Sequence, residues 1–93
     1  YEIVIPNAFT PNNDNFNDVF RPIYYGFKSI NIGIYDTWGT LIYSEETTAN
    51  EMTGWSGRIK GMEAENGNYF YQVTGTTHTD EEFSKNGSFT LIK

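Results

Sequence analysis

The 93-residue chain contains no cysteine. Disulfide bridges, thiol nucleophiles and thiolate metal sites are therefore excluded together, and stability must come from packing. No apolar run approaches the ~20 residues that a membrane-spanning helix requires. The amino-terminal YEIVIPN has no Met, no basic region and no apolar h-region, so it does not resemble a secretory signal peptide. We expect residues 1–93 to form one domain that is excised from a larger protein.

Positive charge and catalytic residue types are both scarce. Six Lys or Arg stand against twelve Asp or Glu, and the net charge of −6 disfavours binding to nucleic acid. The single histidine, His78, lies in the polar segment GTTHTDEE, and no serine has nucleophile-elbow spacing. Carboxylate pairs such as Glu45–Glu46 and Glu81–Glu82 lie in polar segments where solvated surface is the expected role. The sequence does not predict an enzyme.

Aromatic residues are abundant, with seven Phe, seven Tyr and two Trp. The segment KSINIGIY places Ile30, Ile32 and Ile34 on one face, which is typical of a half-buried strand. The segment GNYFYQV alternates in a similar way and predicts a central strand. No segment has helical periodicity. We therefore predict an all-β fold, an immunoglobulin-like antiparallel β-sandwich of about seven strands.

Turn and loop signals separate these strands. The residues DTWG between the strand that ends at Tyr35 and the next apolar run predict a hairpin. The polar segment Glu45–Thr53 predicts a loop, and Trp55–Lys60 predicts a short strand between two glycines. The acidic residues Asp80, Glu81 and Glu82 predict the tip of a second hairpin, and its last strand is expected to run to Lys93.

The stretch FTPNNDNFND has six Asn or Asp in the seven positions Asn12 to Asp18. EF-hand spacing fails because Phe16 stands third from Asp14. A looser calcium site could use Asn12, Asp14 and Asp18 with backbone carbonyls. Alternatively, Asn and Asp side chains bond to nearby backbone groups and tolerate left-handed conformations, which favours consecutive tight turns.

The two tryptophans also allow two interpretations. Trp38 lies at the predicted hairpin tip, and Trp55 lies between Gly54 and Gly57. Flat exposed rings could form a sugar-stacking platform, whereas core packing would bury them with the other aromatic residues.

Five sequence blocks, in order, resemble one known family. They are IPNAFTPNNDNFNDVFRP, INIGIYDTWGTLIYS, GWSGRIKG, GNYFYQV and NGSFTLIK. They resemble the blocks of the gliding motility-associated C-terminal domain, the type B sorting domain of the Bacteroidota type IX secretion system. The positions that carry the motifs are Phe9, Pro11, Asn12, Asp14, Asn17, Asp18, Trp38, Gly39, Trp55, Gly57, Gly67, Tyr69 and Tyr71.

Four positions depart from the pattern of this family. Asn13 and Asn15 replace glycines, and Asn retains access to positive φ. Thr37 replaces an Arg and Ser56 replaces an Asp, so this chain lacks the two charges that an interaction at those positions would use.

The resemblance implies a non-catalytic signal that directs a larger cargo protein through the type IX secretion system. The cargo domains would precede it in the same chain and would pass through the periplasm to the cell surface or the medium. The implied partner is a PorP/SprF-like outer-membrane protein. Apart from the possible calcium ion, we expect no cofactor, and the charge and hydropathy of the chain predict no nucleic-acid partner and no membrane span.

The last strand is a candidate surface for partner recognition. If Gly87–Lys93 forms an edge strand, its backbone and terminal charge could dock by strand addition. The candidate partner-binding residues are Gly87, Phe89, Leu91 and Lys93. Two alternatives remain: an immunoglobulin-like adhesive or carbohydrate-binding module of a surface protein, and a structural spacer.

Overall fold

Five strands form the main sheet of the domain. A computed structural model describes residues 1–11 and 18–93, in which nine strands and no helix are present. The strands are β1 (Glu2–Val4), β2 (Ala8–Phe9), β3 (Ile23–Tyr25), β4 (Phe27–Tyr35), β5 (Leu41–Thr47), β6 (Arg58–Ile59), β7 (Met62–Glu63), β8 (Gly67–Thr77) and β9 (Glu82–Leu91). The prediction of an all-β fold is confirmed. No helix long and apolar enough to cross a membrane is found in the described part of the chain.

The main sheet has the strand order β2-β9-β8-β4-β5. Neighbouring strands are antiparallel except β2, which pairs in parallel with the end of β9. The alternation predicted for β4 and β8 is present, and cross-strand partners such as Ile32 and Val73 share the buried face. The predicted central position of β8 and both predicted hairpins, β4–β5 and β8–β9, are therefore confirmed.

The second layer consists of short pieces rather than a regular sheet. The ribbon β1–β3, the hairpin β6–β7 and an isolated bridge between Phe20 and Trp55 make it up. The bridge has both backbone hydrogen bonds, at 2.8 and 2.9 Å. From this layer, Phe20, Met52 and Trp55 join the side chains of the main sheet in one buried cluster. The architecture agrees with an immunoglobulin-like sandwich in which one layer is irregular.

Three local predictions were wrong, and one of them concerns the last strand, which ends at Leu91 instead of running to Lys93. Strand β5 continues to Thr47, so the loop predicted from Glu45 begins later, because the polar residues 45–47 still pair with residues 30–32 of the long strand β4. The strand predicted at Trp55–Lys60 contains only Arg58–Ile59, and Trp55 makes an isolated bridge instead.

The last strand is not a free edge at its carboxyl end. There β2 pairs with Thr90 and Leu91, and the N–H groups of Thr90 and Ile92 donate to the carbonyl oxygens of Asn7 and Phe9. The pairing accompanies burial of the Phe9 ring against Phe89, at 5.9 Å between centroids. Strand addition by a partner is blocked at these residues because their outward backbone groups are already bonded.

Candidate functional site

Half of the described motif positions are buried: Phe9, Trp55, Gly57, Tyr69 and Tyr71. Trp55 is 1% exposed, and its ring packs against Phe9 and Tyr69 at centroid distances of 5.6 and 5.3 Å. Its indole Nε1–H donates to the carbonyl oxygen of Arg58 at 3.0 Å, which satisfies the one polar group of the side chain. Gly57 is buried beside Pro11. The core interpretation of Trp55 is confirmed.

Trp38 has the opposite environment. Its side chain is 89% exposed at the β4–β5 turn, so the interpretation that Trp38 packs in the core is wrong. Because Trp55 is buried, the two rings do not form a shared sugar-stacking platform. The sequence signal was the same in both cases, an indole next to glycine, and did not separate the two roles.

A network of hydrogen bonds fixes the turn that presents Trp38. The carboxylate Oδ1 of Asp36 accepts from the N–H groups of Trp38 and Thr40, both at 2.9 Å. The N–H of Gly39 donates to the carbonyl oxygen of Asp36 at 3.0 Å, with φ of +82° at Gly39. This left-handed conformation favours glycine, which explains why Gly39 follows the tryptophan.

A cleft of about 310 Å³ lies between this turn and residues 59–69, and we call it the Trp38 cleft. Its apolar lining includes Trp38, Ile59 and Tyr69. Three carboxyl-bearing residues also line it: Asp36, Glu63 and Glu65.

The carboxylates that line the Trp38 cleft affect the ionisation of Tyr69, which also lines it. The hydroxyl of Tyr69 donates to the carbonyl oxygen of Glu65 at 2.7 Å. Burial raises the pKa of Tyr69, and the carboxylates of Glu65 and Asp36 raise it further. The cleft therefore combines an exposed indole with a negative potential.

The carboxyl end of the described chain lies at the rim of the Trp38 cleft. The backbone N–H of Lys93 donates to Asn66 Oδ1 at 2.9 Å, and its Nζ is 4.0 Å from Glu63 Oε2. Gly67, at the start of β8, also lines the cleft. Two sequence-predicted groups, the Trp38 turn and the terminal lysine, thus lie at the same end of the sheet.

The other candidates on the last strand have different surroundings. Phe89 and Leu91 are 2% and 1% exposed and face the core. A Cβ at Gly87 would lie 2.7 Å from the Tyr71 hydroxyl oxygen, so Gly87 provides space for that ring. Of the four residues, Lys93 has an exposed side chain and is available for direct contact. Their role in partner binding stays a prediction.

Sequence reasoning missed a carboxylate clamp at Glu45. Its Oε1 accepts from the N–H of Gly54 at 2.9 Å and its Oε2 from the N–H of Thr53 at 2.8 Å. The Tyr43 hydroxyl lies 2.7 Å from Glu45 Oε1 and 3.0 Å from the carbonyl oxygen of Gly54. This clamp links β5 by hydrogen bonds to Thr53 and Gly54, the two residues that precede Trp55. Strand periodicity from Tyr43 could have placed Glu45 on the inward face.

Ionisation of Glu45 is coupled to these bonds. Burial alone would raise the pKa of this carboxyl group, but hydrogen bonds from Gly54, Thr53 and Tyr43 outweigh it and hold the pKa below its ordinary value. Burial, together with the Glu45 carboxylate, raises the pKa of the Tyr43 hydroxyl strongly. The clamp is therefore a carboxylate at neutral pH.

The Asn/Asp stretch is described only in part, and the single histidine lies in a turn. The motif positions Asn12, Asp14 and Asn17 lie outside the described residues, so the calcium and turn hypotheses stay predictions; Asp18 is described and partly buried. No group of three potential metal ligands occurs in residues 1–11 and 18–93. His78 is exposed in the β8–β9 turn, where its N–H donates to the carbonyl oxygen of Gly26 at 2.9 Å.

The fold and the site define a small β-sandwich domain whose motif residues mainly pack its core and shape one end. Residues 3–91 match the model of the CHU_C type IX secretion signal domain family. The chain belongs to this family, as the five sequence blocks predicted. No curated protein matches the chain. The family is defined by a signal role in secretion rather than by a reaction.

Proposed function

We propose that this domain is the sorting signal of a larger protein and carries its cargo through the type IX secretion system to the cell surface or the medium. The match to the signal-domain family over residues 3–91 carries the proposal. It extends from β1 to the end of β9, so the signal corresponds to a folded domain rather than to a short linear peptide. The domain performs no reaction in this role.

The partner in this proposal is an outer-membrane protein of the PorP/SprF kind. Recognition at the carboxyl end of the domain would use the charge of Lys93 directly. Phe89, Leu91 and Gly87 would act indirectly, because they hold β9 in the core in the position that presents the end of the chain.

A fusion experiment tests this function. Residues 1–93 are joined to the carboxyl end of a reporter with its own secretory signal, in a type IX-competent cell and in a matched strain without the secretion machinery. We expect the reporter outside the competent cells and in the periplasm of the deficient strain. A reporter that stays in the periplasm of competent cells, while a known type B fusion is exported, would show that the assignment is wrong.

One observation favours carbohydrate binding as the second candidate function. The exposed Trp38 ring could stack on a sugar, although the buried Trp55 cannot join it. A glycan array with the purified domain and a Trp38→Ala control separates the two functions. Sugar binding that depends on Trp38, without any export of the fusion, would favour the carbohydrate-binding module.

A further inference from the structure

We infer that the Trp38 cleft binds a basic side chain on an extended segment of the protein that recognises this signal. The inference rests on the proposed function, because it takes the occupant to be part of the secretion machinery. It adds the recognition surface and the chemistry of the partner, an arginine- or lysine-bearing segment.

The first argument is the presentation of Trp38. Its indole is 89% exposed, so it contributes little to the core. The backbone that carries it is nevertheless fixed by two backbone N–H bonds to the Asp36 carboxylate and one from Gly39 to the Asp36 carbonyl oxygen. An exposed aromatic ring on a backbone that is already fixed can bind a partner without the entropy cost of ordering the turn, and tryptophan is enriched among residues that dominate binding energy.

The second argument is charge complementarity. Asp36, Glu63 and Glu65 line the same cleft as the ring, and Lys93 approaches one of them, with Nζ 4.0 Å from Glu63 Oε2. A guanidinium or ammonium group in the cleft can lie against the indole face and pair with the remaining carboxylates. An anionic group would meet like charges. The net charge of −6 also attracts a basic partner.

The third argument is size. The cleft volume of about 310 Å³ is near the lower end of the roughly 300–1,000 Å³ found for small-molecule pockets. It suits one long side chain rather than a helix. An extended segment can insert such a side chain while the rest of its length stays on the surface.

The export assay tests the inference in the cell. Trp38→Ala removes the aromatic ring of the cleft. The double variant Glu63→Gln with Glu65→Gln removes two of its three carboxylates. Matched controls are Tyr25→Ala, an exposed ring on β3, and Glu81→Gln with Glu82→Gln, the same charge change at the opposite end of β8. We expect the cleft variants to lower reporter export about tenfold or more and the controls to leave it unchanged.

Thermal melting of each purified domain separates binding from folding. Unchanged melting with lowered export supports the inference, whereas cleft variants that are exported like the wild type overturn it. If the wild-type fusion itself is not exported, the proposed function fails, and a peptide titration then decides the cleft chemistry alone.

The titration uses acetyl-Gly-Arg-Gly-Arg-Gly-amide as the probe and the same peptide with citrulline in place of arginine as the neutral control. We expect the arginine peptide to shift the NMR signal of the Trp38 indole N–H but not that of buried Trp55. The citrulline peptide should bind about tenfold more weakly. Equal binding of the two peptides, or no response at Trp38, would overturn the inference, even where Trp38→Ala fails to fold.

Discussion

The ring of Phe20 stacks on the ring of Phe89, with 3.7 Å between centroids and 13° between planes. Phe20 belongs to the first sequence block of the family and Phe89 to the last, and both are buried. The stack joins the irregular layer to the main sheet. The two ends of the signal are therefore parts of one core.

Phe20→Ala should lower the free energy of unfolding by about 3–5 kcal/mol, because it removes a fully buried ring and leaves a cavity against Phe89. Urea denaturation measures this. The matched control is Phe70→Ala, a 45% exposed ring on the outer face of β8, which should cost less than about 1 kcal/mol. If the two variants lowered the free energy of unfolding equally, the stack of Phe20 on Phe89 would not be a main contributor to core stability.

The main sheet could be predicted because its determinants are local. Period-two alternation around Ile32 and Tyr71 specifies which side of each strand is buried, and the residues DTWG mark the turn. The parallel pairing of β2 with β9 could not be predicted in this way. It involves two residues of β2, Ala8 and Phe9, and partners about eighty positions away in the chain, and no local pattern records it.

The candidate site was predictable only in part. The motifs indicated that Trp38 and Trp55 matter, but the exposure of each depends on tertiary contacts. Trp55 is buried because the bridge to Phe20 and the clamp at Glu45 hold its segment against the sheet. Glu45 and its partner Gly54 are 9 positions apart in the chain, and Phe20 and Trp55 are 35 positions apart.

Glu45→Gln should destabilise the domain by about 1 kcal/mol at pH 7, because the amide accepts more weakly from the N–H groups of Thr53 and Gly54. The pKa of Glu45 is lower in the folded state than in the unfolded state. The ionised Glu45 side chain therefore contributes its full stabilisation at pH values above the unfolded-state pKa of about 4.5. This stabilisation is lost as the pH falls through the folded-state pKa of Glu45.

Denaturation of wild type and variant at neutral and acid pH measures this dependence. The difference between the two proteins should shrink below about pH 4. Glu46→Gln, at the neighbouring exposed position of β5, is the matched control and should show little difference at either pH. A Glu45→Gln effect that grows as the pH falls would contradict the clamp.

Gly87→Ala should cost about 1–3 kcal/mol by overpacking. The added Cβ would lie 2.7 Å from the hydroxyl oxygen and 2.9 Å from Cζ of Tyr71, which is itself buried. Tyr71→Phe removes the nearer contact, so the double variant should be more stable than the two single costs imply. Denaturation curves of the four proteins test this coupling, with exposed Ser88→Ala as control. Strict additivity would show that the ring moves aside freely.

Lys93→Glu tests whether the terminal cation is recognised. The ion pair with Glu63 is long, at 4.0 Å, and partly exposed, so its loss should change stability by no more than about 0.5 kcal/mol. The backbone bond from Lys93 to Asn66 does not depend on the side chain and should persist. If the partner binds the ammonium group, export of the reporter fusion should fall while the melting temperature stays unchanged.

Two further variants make the Lys93→Glu result specific. Lys85→Glu reverses the same charge at an exposed position of β9 and should leave export unchanged, whereas Leu91→Ala removes a buried side chain and should lower stability by about 2–5 kcal/mol and export together. Normal export of Lys93→Glu would exclude Lys93 from the recognition surface. Recognition would then depend on Trp38 and the carboxylates, since a glutamate at the rim makes the Trp38 cleft more negative and favours a basic partner.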